Sequence, residues 1–227
     1  PTSSGLLNGD CSVMPIILFM EDHKAETITR VINAVKALRQ DYQTDSLQFK
    51  LASGPIGVMA AQNEAVDAAQ EPMMLYVFGA VILLCLFSFK SLRATLSVVI
   101  PLYVVSVMAQ ALMTYLNIGL TVATLPVIAL GVGIGVDYGI YILSTMNNKL
   151  KAGMAVRQAY FEALIERGSA VLFTAATLAV GVSTWVFSAL KFQVDMGVLL
   201  TFMFVVNMLG AIIVLPALAS IFWRKQG

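Results

Sequence analysis

The chain has 227 residues, 59% of them hydrophobic and 12% charged, with a net charge of +1 and a mean hydropathy of +0.84. Globular proteins carry roughly 25% charged residues, so this composition excludes an ordinary soluble domain and points to a membrane protein. The net charge of +1 says nothing about nucleic acid, and no basic tract supports it as a partner, so none is expected. Cys11 and Cys85, one in a polar region and one in an apolar span, do not read as a disulfide.

The chain opens at Pro1, without an initiator Met or a signal peptide. It reads as the C-terminal piece of something longer, a split polypeptide or part of one. Residues 1–71 hold 9 of the 13 acids and 5 of the 14 bases, the pattern of a water-facing region. Val13 to Phe19 is a short apolar run that predicts a buried strand. An amphipathic helix is expected from about Lys24 to Tyr42, because Ile28, Val31, Ile32, Val35 and Leu38 recur at three- and four-residue steps. Leu47, Phe49 and Leu51 then alternate with polar neighbours, which predicts a second strand ending at Gly54-Pro55. Strand, helix, strand is the crossover unit of a small α/β layer. One unit is too small to bury a core, so it is expected to complete a domain begun upstream.

A helix is expected from Ile56 to Glu71, with Pro72 at the entry to the first of five apolar spans, at about 73–89, 94–116, 120–146, 168–190 and 196–223. Each is near or above the roughly 20 residues that cross a bilayer. Pro101, Pro126 and Pro216 lie within spans and read as local kinks, whose freed carbonyls neighbouring helices can satisfy. Residues 147–167 are expected to form a polar loop. Within it Ala155, Val156, Ala159, Tyr160, Ala163 and Leu164 mark either a helix lying along the membrane surface or a plain amphipathic connector.

Charge sets the orientation. Lys90, Arg93, Lys149, Lys151, Arg157, Arg167, Arg224 and Lys225 put eight bases on one side of the spans, while the opposite short loops hold only Lys191. The positive-inside rule assigns the eight to the cytoplasm. Five crossings then place residues 1–71 outside, in the periplasm or its equivalent, and the C-terminus inside.

Asp137 is the only formally charged side chain within the five spans. A carboxylate at mid-membrane costs about 2.5–3.5 kcal/mol on insertion scales, so it needs a partner or a proton. Gly131, Gly135 and Gly139 share one face of its helix, a stripe that lets helix backbones approach closely in lipid. Gly133, Asp137 and Tyr141 lie on another face, roughly opposite, so protein is expected on at least two sides, with Asp137 aimed at a neighbour. Desolvation and a nearby phenol or hydroxyl would tune its proton affinity, which suits a group that binds and releases protons. Tyr138 beside it and Thr174 and Thr177 on the fourth span are candidate partners. Against this stand a carboxyl that stays protonated and merely hydrogen-bonds a neighbouring helix, and two threonines that only pack helices.

Other chemistry fades. Gly131-Val132-Gly133 resembles a nucleotide-binding turn, but that turn follows a strand and opens a helix in water. His23 is the only histidine and reads as a solvated surface residue, so no metal site is expected. No nucleophile–base arrangement suggests an enzyme, and the only coupling agent implied is the proton, with no cofactor.

At Gly131 to Tyr138 the pattern resembles the resistance-nodulation-division superfamily, specifically the branch of mycobacterial-type large membrane proteins (MMPL) and hydrophobe or hopanoid exporters. In that branch an Asp-Tyr pair follows a glycine-rich stretch in the fourth helix of each repeat. Gly168-Ser169-Ala170-Val171, Thr174-Ala175-Ala176-Thr177 and Gly181 resemble the start of the next helix, and Val214-Leu215-Pro216-Ala217-Leu218 the end of the last. The resemblance is strong over residues 120–220 and architectural only over 1–71. It implies an α-helical integral membrane protein: residues 1–71 ending a periplasmic, ferredoxin-like α/β porter domain, and residues 72–227 supplying helices eight to twelve of a twelve-helix pump. Asp137 and Tyr138 would belong to a proton relay, paired across the repeat interface with the N-terminal half of the same transporter. Tyr141 falls where the family often has an aromatic below the relay. No Lys or Arg lies in the spans, which departs from the drug-efflux branch and favours lipid export.

The resemblance thus implies a proton-antiporting exporter of lipids or other hydrophobic molecules in a bacterial inner membrane, with membrane lipids around it and a homo-oligomer or a periplasmic adaptor as further partners. The alternatives are a non-transporting sterol-sensing or scaffold module, and an accessory to protein export.

Overall fold

The computed structural model describes residues 10, 12–19, 25–44, 46–50 and 54–223. The chain divides into two compact units, Pro1–Ala65 and Val66–Gly227. In the first, α1 (Ala25–Tyr42) is the expected amphipathic helix. Its apolar stripe is graded: Ile28 is buried, Val31, Ile32 and Val35 are half-buried, and Leu38 is exposed. Lys36 of α1 pairs with Glu64.

Neither predicted strand is present among the described residues. Residues 12–19 carry no strand, and the apolar side chains from Val13 to Phe19 remain 55–94% exposed. An apolar run is held as a strand by burial of one face, and that burial is not supplied here. Leu47 enters only an isolated antiparallel bridge with Thr44, closed by N···O distances of 3.0 and 3.2 Å. Residues 48–50 continue without a strand. The expected α/β layer is therefore corrected, among the described residues of this unit, to helix and irregular chain. Leu51, Cys11 and His23 lie outside the described residues.

Among the described residues, five helical runs are long and apolar enough to cross a membrane: Pro55–Phe89, Leu92–Tyr115, Leu125–Lys151, Val156–Phe187 and Lys191–Trp223. Each covers most of one predicted span, the first and fourth beginning well before the predicted start. The first is α2 (Pro55–Phe89), one helix with Pro72 inside it, followed by α3 (Leu92–Tyr115) and α4 (Leu125–Lys151). The fourth run comprises α5 (Val156–Ala163), a π turn at Leu164–Gly168, α6 (Ser169–Ser183) and a 3₁₀ turn at Thr184–Phe187. The fifth comprises α7 (Lys191–Leu209), a π turn at Gly210–Val214 and α8 (Leu215–Trp223).

Two expectations change here. Residues 147–167 are mostly helix rather than loop: α4 continues to Lys151, and α5 starts at Val156 and runs through the π turn into α6. Only the turn between them is irregular, with Gly153 at φ 89°, a conformation glycine adopts without a Cβ clash. The amphipathic stripe forms α5. Pro126 is not a mid-span kink either, because it sits in the first turn of α4, where its missing N–H is no loss. That start is fixed by Thr121 and Thr124. The Thr121 N–H donates to Thr124 Oγ1 at 2.8 Å, and the Thr124 hydroxyl donates to the Gly119 carbonyl at 3.1 Å.

Within the second unit α7 is central, with α3, α4 and α6 all packed against it. Gly197 permits the close approach to the 3₁₀ turn: a Cβ there would lie 2.9 Å from Trp185 Cβ and 3.1 Å from the Val182 carbonyl. The buried serine hydroxyls of α3 satisfy themselves on their own helix. Ser97 donates to the Arg93 carbonyl at 2.9 Å and Ser106 to the Leu102 carbonyl at 3.0 Å, the local back-bonding that suits a polar group deprived of water.

Candidate functional site

The glycine stripe of α4 is a packing surface. A Cβ on Gly131 would lie 2.4 Å from Met203 Cε, one on Gly135 2.5 Å from Asn207 Cγ and 2.8 Å from Leu102 Cδ2, and one on Gly139 2.9 Å from Val98 Cγ1. Gly131 therefore faces α7, Gly139 faces α3, and Gly135 lies where the two meet. Gly133 behaves differently: nothing lies within 4 Å of the Cβ it lacks. It shares the exposed side of α4 with Asp137 and Tyr141, since positions four residues apart fall on one face of a 3.6-residue helix.

Asp137 makes no hydrogen bond or ion pair with any described residue, and the helices of this chain leave it exposed. Tyr138 is turned the other way. One residue along a helix is about 100° of rotation, and here that step carries the side chain from the open face into the bundle. Tyr138 is 1% exposed. Its hydroxyl is buried without a hydrogen-bond partner among the described residues. Asp137 and Tyr138, neighbours in sequence, thus point about 100° apart around α4, and the side chain that shares the Asp137 face is Tyr141.

Thr174 and Thr177 are not brought to Asp137. They sit on α6, which packs on α7 rather than on α4. The Thr177 hydroxyl donates within its own helix, to the carbonyls of Phe173 at 2.8 Å and Thr174 at 3.0 Å. Thr174 and Thr177 are both exposed, so neither packs against another helix of this chain.

A polar residue that the sequence reading passed over stands against α4. Asn207 of α7 is 3% exposed, and its Nδ2 donates to the Gly131 carbonyl at 2.9 Å. Its Oδ1 is buried without a partner among the described residues. The signal was available, since Asn207 is the only amide side chain in residues 196–223. Among the described residues, no three His, Cys, Asp or Glu side chains gather as a metal would require.

Five membrane-length helical runs among the described residues, with Asp137 on the open face of α4, define a multi-pass membrane protein. The chain belongs to the MMPL family, whose model matches residues 8–226. It is similar to MmpL12 of Mycobacterium tuberculosis, named as a transport protein, at 24% identity over 93% of this chain and 19% of that protein. It is 29% identical to MmpL8 of Mycobacterium bovis, also named as a transport protein, over 76% of this chain and 16% of that protein. MJ1562 of Methanocaldococcus jannaschii, named as a membrane protein, is 28% identical over 75% of this chain and 44% of its own length. The chain therefore spans less than half the length of these relatives.

Proposed function

We propose that this chain is the second half of a proton-driven exporter of lipids or other hydrophobic molecules, with Asp137 as the proton-carrying group. One observation carries the reading. The sole carboxylate of the spans lies on a face of α4 that the chain's own helices leave open, while the opposite face is closed by α3 and α7. An uncovered carboxylate facing hydrocarbon is costly. A second set of helices, contributed by the other half of the transporter, is the natural cover, and it would hold Asp137 at an interface between halves. A carboxyl there can take a proton from one side and release it to the other as the halves shift, each change altering the packing around it.

Transport proteins among the relatives support the same class of activity. Lipid export follows from the lack of Lys and Arg in the spans and from the family branch. In this reading the eight bases face the cytoplasm of a bacterial inner membrane, and residues 1–71 face the periplasm, next to the substrate-handling domain. Tyr141 flanks the carboxylate on its own face, and Tyr138 acts from inside the bundle.

The test is proton flux in proteoliposomes holding the full-length transporter, comparing wild type with Asp137→Asn at matched insertion. The change is nearly isosteric and removes only the titratable proton. Flux lost while substrate still binds supports the reading. Unchanged flux makes Asp137 a packing residue and leaves a non-transporting membrane module as the function.

A further inference from the structure

Among the described residues the buried polar side chains are Thr95, Ser97, Ser106, Thr124 and Asn207. The hydroxyls are satisfied locally, each donating to a carbonyl four or five residues earlier. Asn207 alone among them reaches another helix, its Nδ2 donating to the Gly131 carbonyl of α4 at 2.9 Å. An amide in an apolar seam carries a desolvation cost that a leucine of similar volume avoids. What this one adds is direction more than stability.

Gly131 and Gly135 give α7 a groove to pack into. A groove without side chains allows close approach, but it offers nothing that resists sliding or rotation. Met203, which fills the groove over Gly131, is a flexible side chain that adapts to a shifted partner. The Asn207 carboxamide does resist. It occupies the groove at Gly135, where a Cβ would lie 2.5 Å from its Cγ and Nδ2, and it bonds the carbonyl of Gly131 one turn earlier. That carbonyl is a fixed point on the helix. Moving α4 by one residue displaces it about 1.5 Å along the axis and about 100° around it, and the bond is lost. Setting the register of packed helices is the best-attested use of a single buried asparagine.

Register decides where Asp137 points. On a 3.6-residue helix Asp137 lies about 140° around α4 from the midpoint of Gly131 and Gly135, the direction from which Asn207 enters. A one-residue slip in one sense reduces that angle to about 40° and turns the carboxyl into the bundle, toward α7. We propose that Asn207 is a positioning residue: by gripping the Gly131 carbonyl it fixes the rotation of α4 on α7 and so holds Asp137 on the open face. The proposal rests on the reading of Asp137 as the proton-carrying group, and it gives Asn207 no contact with the proton.

The experiment is a pair of cryo-EM maps of the full-length transporter, wild type and Asn207→Leu, with proton flux measured on the same preparations in proteoliposomes at matched insertion. Asn207→Leu keeps the volume and removes the donor. In its map α4 is expected to turn or slide against α7, while α3 and α7 keep their mutual packing. Flux is expected to fall about tenfold or more, since a misplacement of about 1 Å can cost about a hundredfold. An α4 that superimposes on the wild type overturns the proposal, and so does a displaced α4 with wild-type flux. Asn207→Ser serves if the leucine variant fails to fold. Its hydroxyl is too short to reach the Gly131 carbonyl and leaves space rather than a clash, and wild-type flux there overturns the proposal as well. Failure of the underlying reading is separately visible. Unchanged flux in Asp137→Asn removes Asp137 as the carrier, while the position of α4 in Asn207→Leu still confirms or overturns the lock.

Discussion

The hydroxyl of Tyr160 in α5 donates its hydrogen bond to the backbone carbonyl of Ile212, 52 residues further on, in the π turn that precedes α8. Pro216 explains why that carbonyl is free. In an α-helix the Ile212 oxygen would accept from the N–H four residues later, and proline has none. In a membrane interior a freed carbonyl must find a donor from a neighbouring element, and Tyr160 is that donor. The contact fastens the start of the fourth run to the last span.

Tyr160→Phe is accordingly expected to cost about 1–2 kcal/mol, the penalty of stranding a part-buried acceptor, read as a lower melting temperature in detergent. Pro216→Ala restores an N–H able to reach Ile212, so Tyr160→Phe should be milder in that background than in wild type. Equal losses in both backgrounds would detach the Tyr160 contact from Pro216.

The sequence made the spans legible because sustained apolar length is a bulk property: five runs of membrane length admit few other fates. It made the Asp137 face legible too, since residues four apart share a side of any helix. Which side is open was not legible. The steps from Gly131 to Gly135 and from Gly133 to Asp137 have the same periodicity, and only the packing of Met203, Leu102 and Asn207 separates them. The strand at Val13 to Phe19 failed for a related reason: an apolar run reports a wish for burial, not whether burial is found. Tyr160 read as one more member of an amphipathic stripe, because its partner is 52 residues distant.

Thr177 offers a test with an expected null effect on transport. Its hydroxyl is committed to Phe173 and Thr174 of its own helix. Thr177→Val should leave proton flux in the full-length protein within about twofold of wild type, with stability changed by no more than about 1 kcal/mol, the net value of one local hydrogen bond. A flux loss comparable to that of Asp137→Asn would show that α6 approaches Asp137 during the transport cycle.

Lys149 ties the end of α4 to the start of the fourth run, 2.9 Å from Glu162 and 3.6 Å from Glu166. All three side chains are partly exposed, and pairs of this kind contribute little and are screened by salt. Lys149→Met is expected to lower Tm slightly at low ionic strength, with the difference vanishing at about 1 M salt, where the Debye length is about 3 Å. A salt-independent loss would point to packing of the lysine stem instead.

The glycines of α4 give the sharpest contrast, because four small residues on one helix should answer differently to the same change. At Gly135 an added Cβ meets Asn207 Cγ and Nδ2 at 2.5 Å. That amide cannot retreat without leaving the Gly131 carbonyl. Overpacking of this sort costs about 1–3 kcal/mol, so Gly135→Ala should lower Tm clearly. At Gly131 the nearest atom is the flexible end of Met203, with Met203 Cβ at 3.1 Å, and the loss from Gly131→Ala should be smaller. Gly133 has open space within this chain. If its face is covered only by the other half of the transporter, Gly133→Leu should leave the packing of α3, α4 and α7 intact, as judged by the added cost of Gly135→Ala in that background. The same substitution should nevertheless abolish most proton flux, since the bulk would wedge the halves apart beside Asp137. Normal flux in Gly133→Leu would mean that no second set of helices closes on this face, and the interface role proposed for Asp137 would fail with it.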